Sequence, residues 1–237
     1  MSLKTSYVKA ARSARSVARS TGLLGALERS HRPALRHLRT LFAVYDAEDL
    51  AHLDLPWWSY GAITQVEEFL AERPQARVFE FGSGASTPWL AKRAGFVDTV
   101  EHDLDFVEVV RGLLDGIENV AIHTVDVQAA PDGQPAVGSD REGHEGLDFS
   151  DYVRVIDEVD GPFDLVVVDG RARVASLRRA IPHLAPDGII VFDDVERERY
   201  APALEIPGLS VEVLHTATPC LPYRTSTALL RPSGVPL

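Results

Sequence analysis

Hydrophobic positions follow two different periods along residues 77–231 of this 237-residue chain. Short apolar runs alternate with segments in which apolar residues recur every three or four positions, as in Val174, Leu177, Ile181 and Leu184. The runs predict strands and the longer period predicts amphipathic helices, so the alternation favours a parallel sheet with helices on both faces. The predicted strands are residues 77–81, 97–101, 120–125, 163–169, 189–192, 210–216 and 225–231.

The last two strands flank Pro219 and Pro222 and are predicted to pair antiparallel. The expected fold class is therefore α/β, a doubly wound and mostly parallel sheet of seven strands that closes with this pair. Residues 128–146 contain four Gly and two Pro without periodicity, which predicts a long loop. His144 lies in that loop and gains importance if the loop closes as a lid.

The region before the strands is organised differently. Residues 3–40 predict helix, with nine Lys or Arg residues and Glu28 as the one acid. Three interpretations stay open: a solvated helix packed beside the main domain, a helix that binds a membrane surface or a partner, and a transit peptide. Residues 46–60 predict an acidic linker that ends in aromatic residues. We expect an extension over residues 1–60 and one domain over residues 61–237.

Composition excludes several classes of function. The net charge is −11 although the first 40 residues are basic, so the body repels nucleic acid, and no nucleic-acid partner is expected. The single cysteine, Cys220, indicates a reducing compartment, and no apolar run approaches the roughly 20 residues of a membrane span. We expect a cytoplasmic protein and leave a homodimer open.

An acid stands at or just after the end of each of the first five strands. In open parallel sheets, ligands bind outside the carboxyl ends of the strands, so these acids are candidates for a binding site. They are Glu80, Glu101, Asp126, Asp169 and the pair Asp193 and Asp194.

The first strand leads into a glycine turn, in the sequence FEFGSGASTPW. Gly82 and Gly84 permit positive φ angles and a close approach of a ligand to the backbone. Ser86 or Thr87 is expected to cap a helix with Pro88 in its first position, leaving free N–H groups at the turn. A dinucleotide-binding turn has a third glycine where this chain has Thr87, which disfavours a pyrophosphate here.

The ordered series GSGAST, VEHD, VVVDGRAR and IIVFDD resembles the class I S-adenosylmethionine-dependent methyltransferases, over about residues 77–231. The resemblance implies that Glu80 and the glycine turn hold the methionine part, Glu101 the ribose hydroxyls, and Asp126 with Val127 the adenine. Asp169 is expected beneath the sulfur. The implied cofactor contacts are Glu80, Gly82, Ser83, Gly84, Ser86, Thr87, Glu101, His102, Asp126, Val127 and Asp169. For Glu80 and Asp126, purely structural roles stay open.

The acceptor is expected to be a hydroxyl of a small molecule or a sugar. The segment after Asp169 lacks the Asn/Asp-Pro-Pro-aromatic sequence of enzymes that methylate nitrogen. Asp169, Asp194 and His102 are the candidate bases, with Asp169 first. Asp169, Asp193 and Asp194 also resemble the Mg²⁺ ligands of metal-dependent O-methyltransferases, although Asp193 and Glu196 fit a helix capping box equally.

Further side chains are candidates for acceptor binding. Arg171 and Arg173 follow Asp169 and suit a carboxylate or phosphate on the acceptor, or pair with the acids of residues 193–198. Aromatic residues suit stacking on a sugar or on adenine, or packing at the domain edge. The acceptor-binding candidates are Trp57, Trp58, Tyr60, Arg171 and Tyr200. Two alternatives to the methyltransferase stay open: a nicotinamide-dependent oxidoreductase, and an adaptor that binds the nucleoside without catalysis.

Overall fold

The computed structural model describes residues 15–44, 46–139 and 141–234. Helices and strands alternate over residues 77–124 and again over residues 150–192, as the hydrophobic pattern predicts. The helices are α1 (residues 15–20), α2 (Leu23–Glu28), α3 (Pro33–Thr40), α4 (Ala47–His52), α5 (Tyr60–Ala71), α6 (Ser86–Ala91), α7 (Leu104–Leu113), α8 (Ser150–Glu158) and α9 (Arg173–Ala180). The strands are β1 (Arg77–Phe81), β2 (Phe96–Glu101), β3 (Val120–Thr124), β4 (Gln128–Ala129), β5 (Leu147–Asp148), β6 (Phe163–Val168), β7 (Leu184–Phe192), β8 (Leu209–Ala217) and β9 (Arg224–Pro232).

Seven strands form one sheet in the order β3-β2-β1-β6-β7-β9-β8. Neighbouring strands are parallel across β3, β2, β1, β6 and β7, and β9 runs antiparallel to both of its neighbours. The predicted fold class and the closing antiparallel pair are therefore confirmed. The order reverses between β1 and β6, which places the switch point of the sheet at the carboxyl ends of these two strands.

Side-chain alternation along β1 explains why the sheet is buried on both faces. Phe79 and Phe81 pack on one face with residues of α8, whereas Val78 packs on the other with residues of α5 and α6. Glu80 falls on the same face as Val78, because successive strand residues point to opposite sides. The acid is thereby directed at α6 rather than outward from the end of the strand.

The predicted helix over residues 3–40 is interrupted in the structure. Gly22 has a φ of 73°, and Pro33 begins a new helix. The predicted positions up to residue 14, including Arg12, lie outside the described residues. In the described part, the Thr40 hydroxyl accepts a hydrogen bond from the Cys220 N–H, and Ala43 packs in one cluster with Ala85 and Cys220, which favours the interpretation of helices packed beside the main domain.

Two local predictions need correction. The acidic linker contains the helix α4, because the Asp46 carboxylate accepts a hydrogen bond from the Asp49 N–H and caps it. Helix α6 begins at Ser86 rather than Pro88, and no side chain caps it. Within the residues that the structure describes, no helix has the length and apolarity needed to cross a bilayer.

Candidate active site

A cavity of about 390 Å³ opens at the carboxyl ends of β1, β2 and β6. Its wall also includes residues of α4 and the loop before β5, so distant parts of the chain enclose the switch point. The sequence-predicted residues that line it are Trp57, Gly82, Ser83, Gly84, Ser86, Glu101, His102, Asp169 and Arg171. Four carboxylates, those of Asp46, Glu101, Asp103 and Asp169, line it together with two arginines, Arg141 and Arg171.

The backbone N–H groups of the glycine turn donate hydrogen bonds within the protein. The Gly82 N–H donates to the Val100 carbonyl at 3.0 Å, and the Gly84 N–H donates to the Thr87 hydroxyl at 3.0 Å. The Ser83 N–H donates to Glu101 Oε2 at 3.2 Å. The expectation of free N–H groups at these three positions is therefore wrong. Gly82 and Gly84 nevertheless line the cavity, where they present no side chain.

Gly82 is required by packing as well as by its φ of 93°. A Cβ atom at Gly82 would lie 2.4 Å from the Cα of Gly170, and one at Gly170 would lie 2.1 Å from the Tyr152 hydroxyl oxygen. Atoms cannot approach so closely, so the ends of β1 and β6 meet only because both residues lack side chains. This contact forms the floor of the cavity.

Glu80 is fully buried beneath the turn and does not line the cavity. Its carboxylate accepts hydrogen bonds from the hydroxyls of Ser86, Thr87 and Thr99 at 2.5, 2.6 and 2.9 Å. Burial raises the pKa of Glu80 to about 7, although these hydroxyls lower it. The side chain ties β1 to α6 and β2, which fits the structural role left open for Glu80, and its contact with a methionine moiety stays a prediction. Thr87 is likewise buried and supports the turn.

Glu101 ends β2 and holds the opposite side of the turn. Its Oε2 accepts from Ser83, and its Oε1 accepts from His102 Nδ1 at 2.7 Å and from the Asp103 N–H at 3.0 Å. Burial raises the pKa of Glu101, but the hydrogen bonds outweigh it, so the pKa lies below its ordinary value. The carboxylate is therefore ionised and poised at the cavity wall.

His102 connects this carboxylate to the long loop. Its Nε2 lies 3.1 Å from Nε2 of His144, so one of the two rings donates to the other. The His102 ring also packs against Phe149 and Tyr152, with centroids 5.5 and 6.2 Å apart. The loop before β5 therefore contacts the end of β2 through His144, and its role as a lid stays a prediction.

Asp169 follows β6 and lies between a cation and an indole. Its Oδ1 accepts from Arg173 Nη2 at 2.7 Å, and its Oδ2 accepts from Trp58 Nε1 at 3.3 Å. Burial is the largest influence and raises the pKa of Asp169 to about 6, against the opposing effect of Arg173. A carboxyl with this pKa is ionised at neutral pH and remains able to accept a proton.

The three acids predicted as Mg²⁺ ligands do not fit a metal in this arrangement. The Arg173 guanidinium lies between two of them, with Nη1 3.0 Å from Asp194 Oδ2, and Asp193 Oδ1 accepts from the Thr227 hydroxyl at 2.6 Å. A side-chain cation thus occupies the position where the metal would be needed. Within the described ranges, no group of three or more His, Cys, Asp or Glu residues is placed to hold a metal ion. The capping-box alternative fails too, because Glu196 accepts from the Ser226 N–H and no helix starts at Asp193.

Several other predicted site residues lie away from this cavity. Trp58 is fully buried and packs edge-on against Trp89, and Tyr60 lines a separate cavity next to α3. Asp126 and Val127 line another cavity, of about 380 Å³, beyond β3. Tyr200 packs on Phe192 and lines a third, and Asp194 is held by Arg173 and Arg197. Of the predicted aromatic roof, Trp57 alone reaches the cavity of the glycine turn in the described structure.

Sequence reasoning missed part of the cavity wall. Asp46, Ala47 and Leu50 line the cavity from α4, and Phe106 lines it from α7. The spacing of Asp46 and Asp49 ahead of Leu50 is a helix start signal that identifies α4, but it says nothing about where the helix packs. Arg141 lies in the loop without periodicity, where the sequence offers no signal.

Comparisons with known proteins place this geometry among methyltransferases. The cofactor-bound protein Rv0187 from MTB matches with a TM-score of 0.55 and 25% sequence identity, over 81% of this chain and 88% of that chain. An O-methyltransferase from Bacillus cereus in complex with SAH matches with a TM-score of 0.57 and 19% identity, over 82% and 90% of the two chains. The O-methyltransferase TomG from Streptomyces achromogenes, in complex with SAM, matches with a TM-score of 0.54 and 17% identity, over 81% of this chain and 94% of that chain.

Neither a protein-family model nor a curated protein sequence matches the chain. The likeness is therefore one of structure, and at these identities it concerns the fold. Strand order, the antiparallel β9 and the glycine turn after β1 all agree with it. The resemblance stated from the sequence is confirmed, and this chain has the fold of the class I S-adenosylmethionine-dependent methyltransferases.

Proposed function

We propose that this protein transfers a methyl group from S-adenosylmethionine to a hydroxyl of a small molecule or sugar. One observation carries the proposal: in a methyltransferase fold, a cavity lined by four carboxylates opens beside the glycine turn at the switch point of the sheet. The donor carries positive charge on its sulfonium and amino groups, which suits such a wall. Solved structures of this fold with SAM or SAH support the choice of donor.

The cavity residues fit this donor in chemical character. Glu101 offers a carboxylate to the ribose hydroxyls, in exchange for the hydrogen bonds that it now accepts from Ser83 and His102. The Cα surfaces of Gly82 and Gly84 admit the methionine part. Leu50, Trp57 and Phe106 supply an apolar wall for a planar base. We retain Asp126 and Val127 as adenine contacts only through a movement of the β3 loop.

When bound, S-adenosylmethionine supplies an electrophilic methyl group, and the chain supplies the base. Asp169 lines the same cavity, and among the described residues its Oδ2 makes only the long contact with Trp58 Nε1. We assign this oxygen the proton of the acceptor hydroxyl. Arg173 holds Asp169 in place and stabilises its ionised form. Asp194 acts through Arg173 as a positioning residue, and His102 is the second candidate base.

A nicotinamide-dependent oxidoreductase is disfavoured by the turn itself. A pyrophosphate needs free backbone N–H groups at the turn. Those of Gly82, Ser83 and Gly84 are all donated within the protein, and four carboxylates would face the phosphates. No metal step is included, because Arg173 fills the place between the acids. The cytoplasmic location and the division of the chain near residue 60 remain proposals.

The first experiment compares ligands by titration calorimetry on the full chain. S-adenosylhomocysteine is expected to bind and NAD⁺ is not. Preference for NAD⁺ would overturn the proposal. A labelled-methyl transfer screen over metabolite extracts then identifies the acceptor, and binding without any transfer would favour the adaptor alternative.

Two variants test the roles proposed for Glu101 and Asp169. Glu101→Ala is expected to weaken S-adenosylhomocysteine binding at least about tenfold, because a charge-assisted pair of hydrogen bonds is lost. The matched control is Glu108→Ala, since Glu108 is exposed on α7 and pairs only with Arg111 in the described structure. Asp169→Asn is expected to retain binding and lose turnover. Equal affinity of the Glu101 and Glu108 variants would refute the ribose assignment.

A further inference from the structure

A second cavity, of about 240 Å³, adjoins the first and has the opposite charge. Among the described residues that line it, none is an acid and six are arginines: Arg141, Arg171, Arg173, Arg178, Arg197 and Arg199. Arg141, Gly170 and Arg171 line both cavities, so the two are continuous at the residue that follows Asp169. In a chain with a net charge of −11, this is a local reversal of charge.

Two of these arginines are already neutralised by acids. Arg173 pairs with Asp169 and Asp194, and Arg197 pairs with Asp194 at 2.5 Å. Arg171 is different. Among the described residues its guanidinium makes no salt bridge, Nη1 makes a 3.5 Å contact to the Gly170 carbonyl, and the buried Nε has no partner. A guanidinium that is partly withdrawn from water without an acid is costly unless a ligand compensates it.

Like charges crowd the same guanidinium. Burial lowers the pKa of Arg171, and repulsion from Arg141 and Arg173 lowers it further, against the opposing effects of Tyr152 and Glu101. An anion between these groups would relieve the repulsion and accept bidentate hydrogen bonds, which planar guanidinium groups donate well to carboxylate and phosphate.

The first turn of helix α9 brings backbone N–H groups, a second kind of hydrogen-bond donor, to the same cavity. It starts from Ala172, whose φ is 48°, and no side chain caps its first turn. Val174 and Ala175 of that turn line the cavity. Uncapped N–H groups and the positive end of the helix dipole favour an anion at this position.

We propose that the arginine cavity binds an oxyanion, a carboxylate or phosphate, carried by the methyl acceptor, which directs the acceptor hydroxyl toward Asp169. That the anion is carried by a methyl acceptor rests on the proposed function, whereas the anion site itself does not. Tyr200 closes the cavity with an aromatic face and accepts a hydrogen bond from Arg199. Both Tyr200 and Arg171 line this cavity, so under this proposal they would bind the acceptor here.

The test measures anion binding directly, on the full chain and without cofactor. Calorimetry is done with inorganic phosphate and with succinate at constant ionic strength, with glycerol as the neutral control. Arg171→Gln and Arg178→Gln are each expected to weaken binding about tenfold. Arg111→Gln is the control, because Arg111 is exposed on α7 and pairs with Glu108. Arg178→Gln should leave S-adenosylhomocysteine binding unchanged, since Arg178 does not line the first cavity.

The outcomes separate this proposal from the proposed function. Phosphate or succinate binding that both cavity variants weaken supports the site, and the better anion names the group on the acceptor. No binding of either anion, or binding that the variants leave unchanged, overturns it. In the labelled-methyl screen, a product retained by an anion-exchange resin is expected, and a neutral product overturns it. Failure to bind S-adenosylhomocysteine would count against the proposed function alone.

Discussion

Arg173 places its guanidinium 2.7 Å from the carboxylate of Asp169, which lies four residues earlier in the chain. The contact bridges the end of β6 to the start of α9, and the same guanidinium reaches Asp194 after β7. Acids at the ends of two neighbouring parallel strands would repel one another without a cation between them. In this protein the cation is a side chain, which leaves Asp169 ionised but still basic.

The first prediction concerns the pH dependence of turnover. With Asp169 as the base, kcat/KM should fall on the acid side with a pKa of about 6. Trp58→Phe removes the indole N–H that stabilises ionised Asp169. The acid limb is then expected to move to higher pH by roughly half a unit. The measurement is the pH profile of kcat/KM for both proteins.

Trp89→Phe is the matched control for this shift. Trp89 packs against Trp58 with ring centroids 5.8 Å apart but makes no described contact with Asp169. Its variant should keep the acid limb in place while changing the same aromatic cluster. An acid limb that stays fixed in Trp58→Phe, or full activity of Asp169→Asn, would remove Asp169 from the role of base.

The second prediction concerns Glu80 and the stability of the fold. Its pKa is raised from an ordinary 4.5 to about 7 by burial, so the folded state holds its proton more tightly than the unfolded state. The stabilising effect is fully present below pH 4.5 and is lost as the pH rises toward 7. Over this range Glu80 should lower the free energy of unfolding by about 3 kcal/mol.

Glu80→Gln removes this titration and isolates it. The difference in free energy of unfolding between wild type and variant, from urea denaturation, should shrink or reverse between pH 4.5 and 7. Glu68→Gln, at an exposed position on the neighbouring helix α5, is the control variant and is measured at the same pH values. A pH-independent difference for Glu80→Gln would show that its carboxyl titrates normally in the fold.

The fold was accessible from the sequence because local periodicity sets it. The run at residues 163–168 is apolar at nearly every position, and the structure buries it on both faces in the middle of the sheet. The alternation of short runs with helical stripes fixes a parallel sheet, and β8 and β9 pair where Pro219 and Pro222 separate them. Each of these signals is made by residues that lie within a few positions of one another in the sequence.

The site was only partly accessible, because its walls depend on contacts between distant segments. Glu101 and Asp169 could be named from their places at strand ends. The direction of the Glu80 side chain follows from strand alternation, but its hydroxyl partners could not be identified from the sequence, because they lie on two other elements, α6 and β2. Trp57 and Trp58 are adjacent, yet one lines the cavity and the other is buried against Asp169.

The third prediction tests the close approach of β1 and β6. Gly170→Ala would place a Cβ atom 2.1 Å from the Tyr152 hydroxyl and 2.8 Å from the Phe81 carbonyl, so it should destabilise the protein by about 1–3 kcal/mol in urea denaturation. Gly112→Ala, where a Cβ atom meets nothing within 4 Å in helix α7, should instead stabilise by up to about 1 kcal/mol. Adding Tyr152→Phe to Gly170→Ala should recover part of the loss, because it removes the nearest clashing atom. Equal stability of the two alanine variants would contradict the packed floor of the cavity.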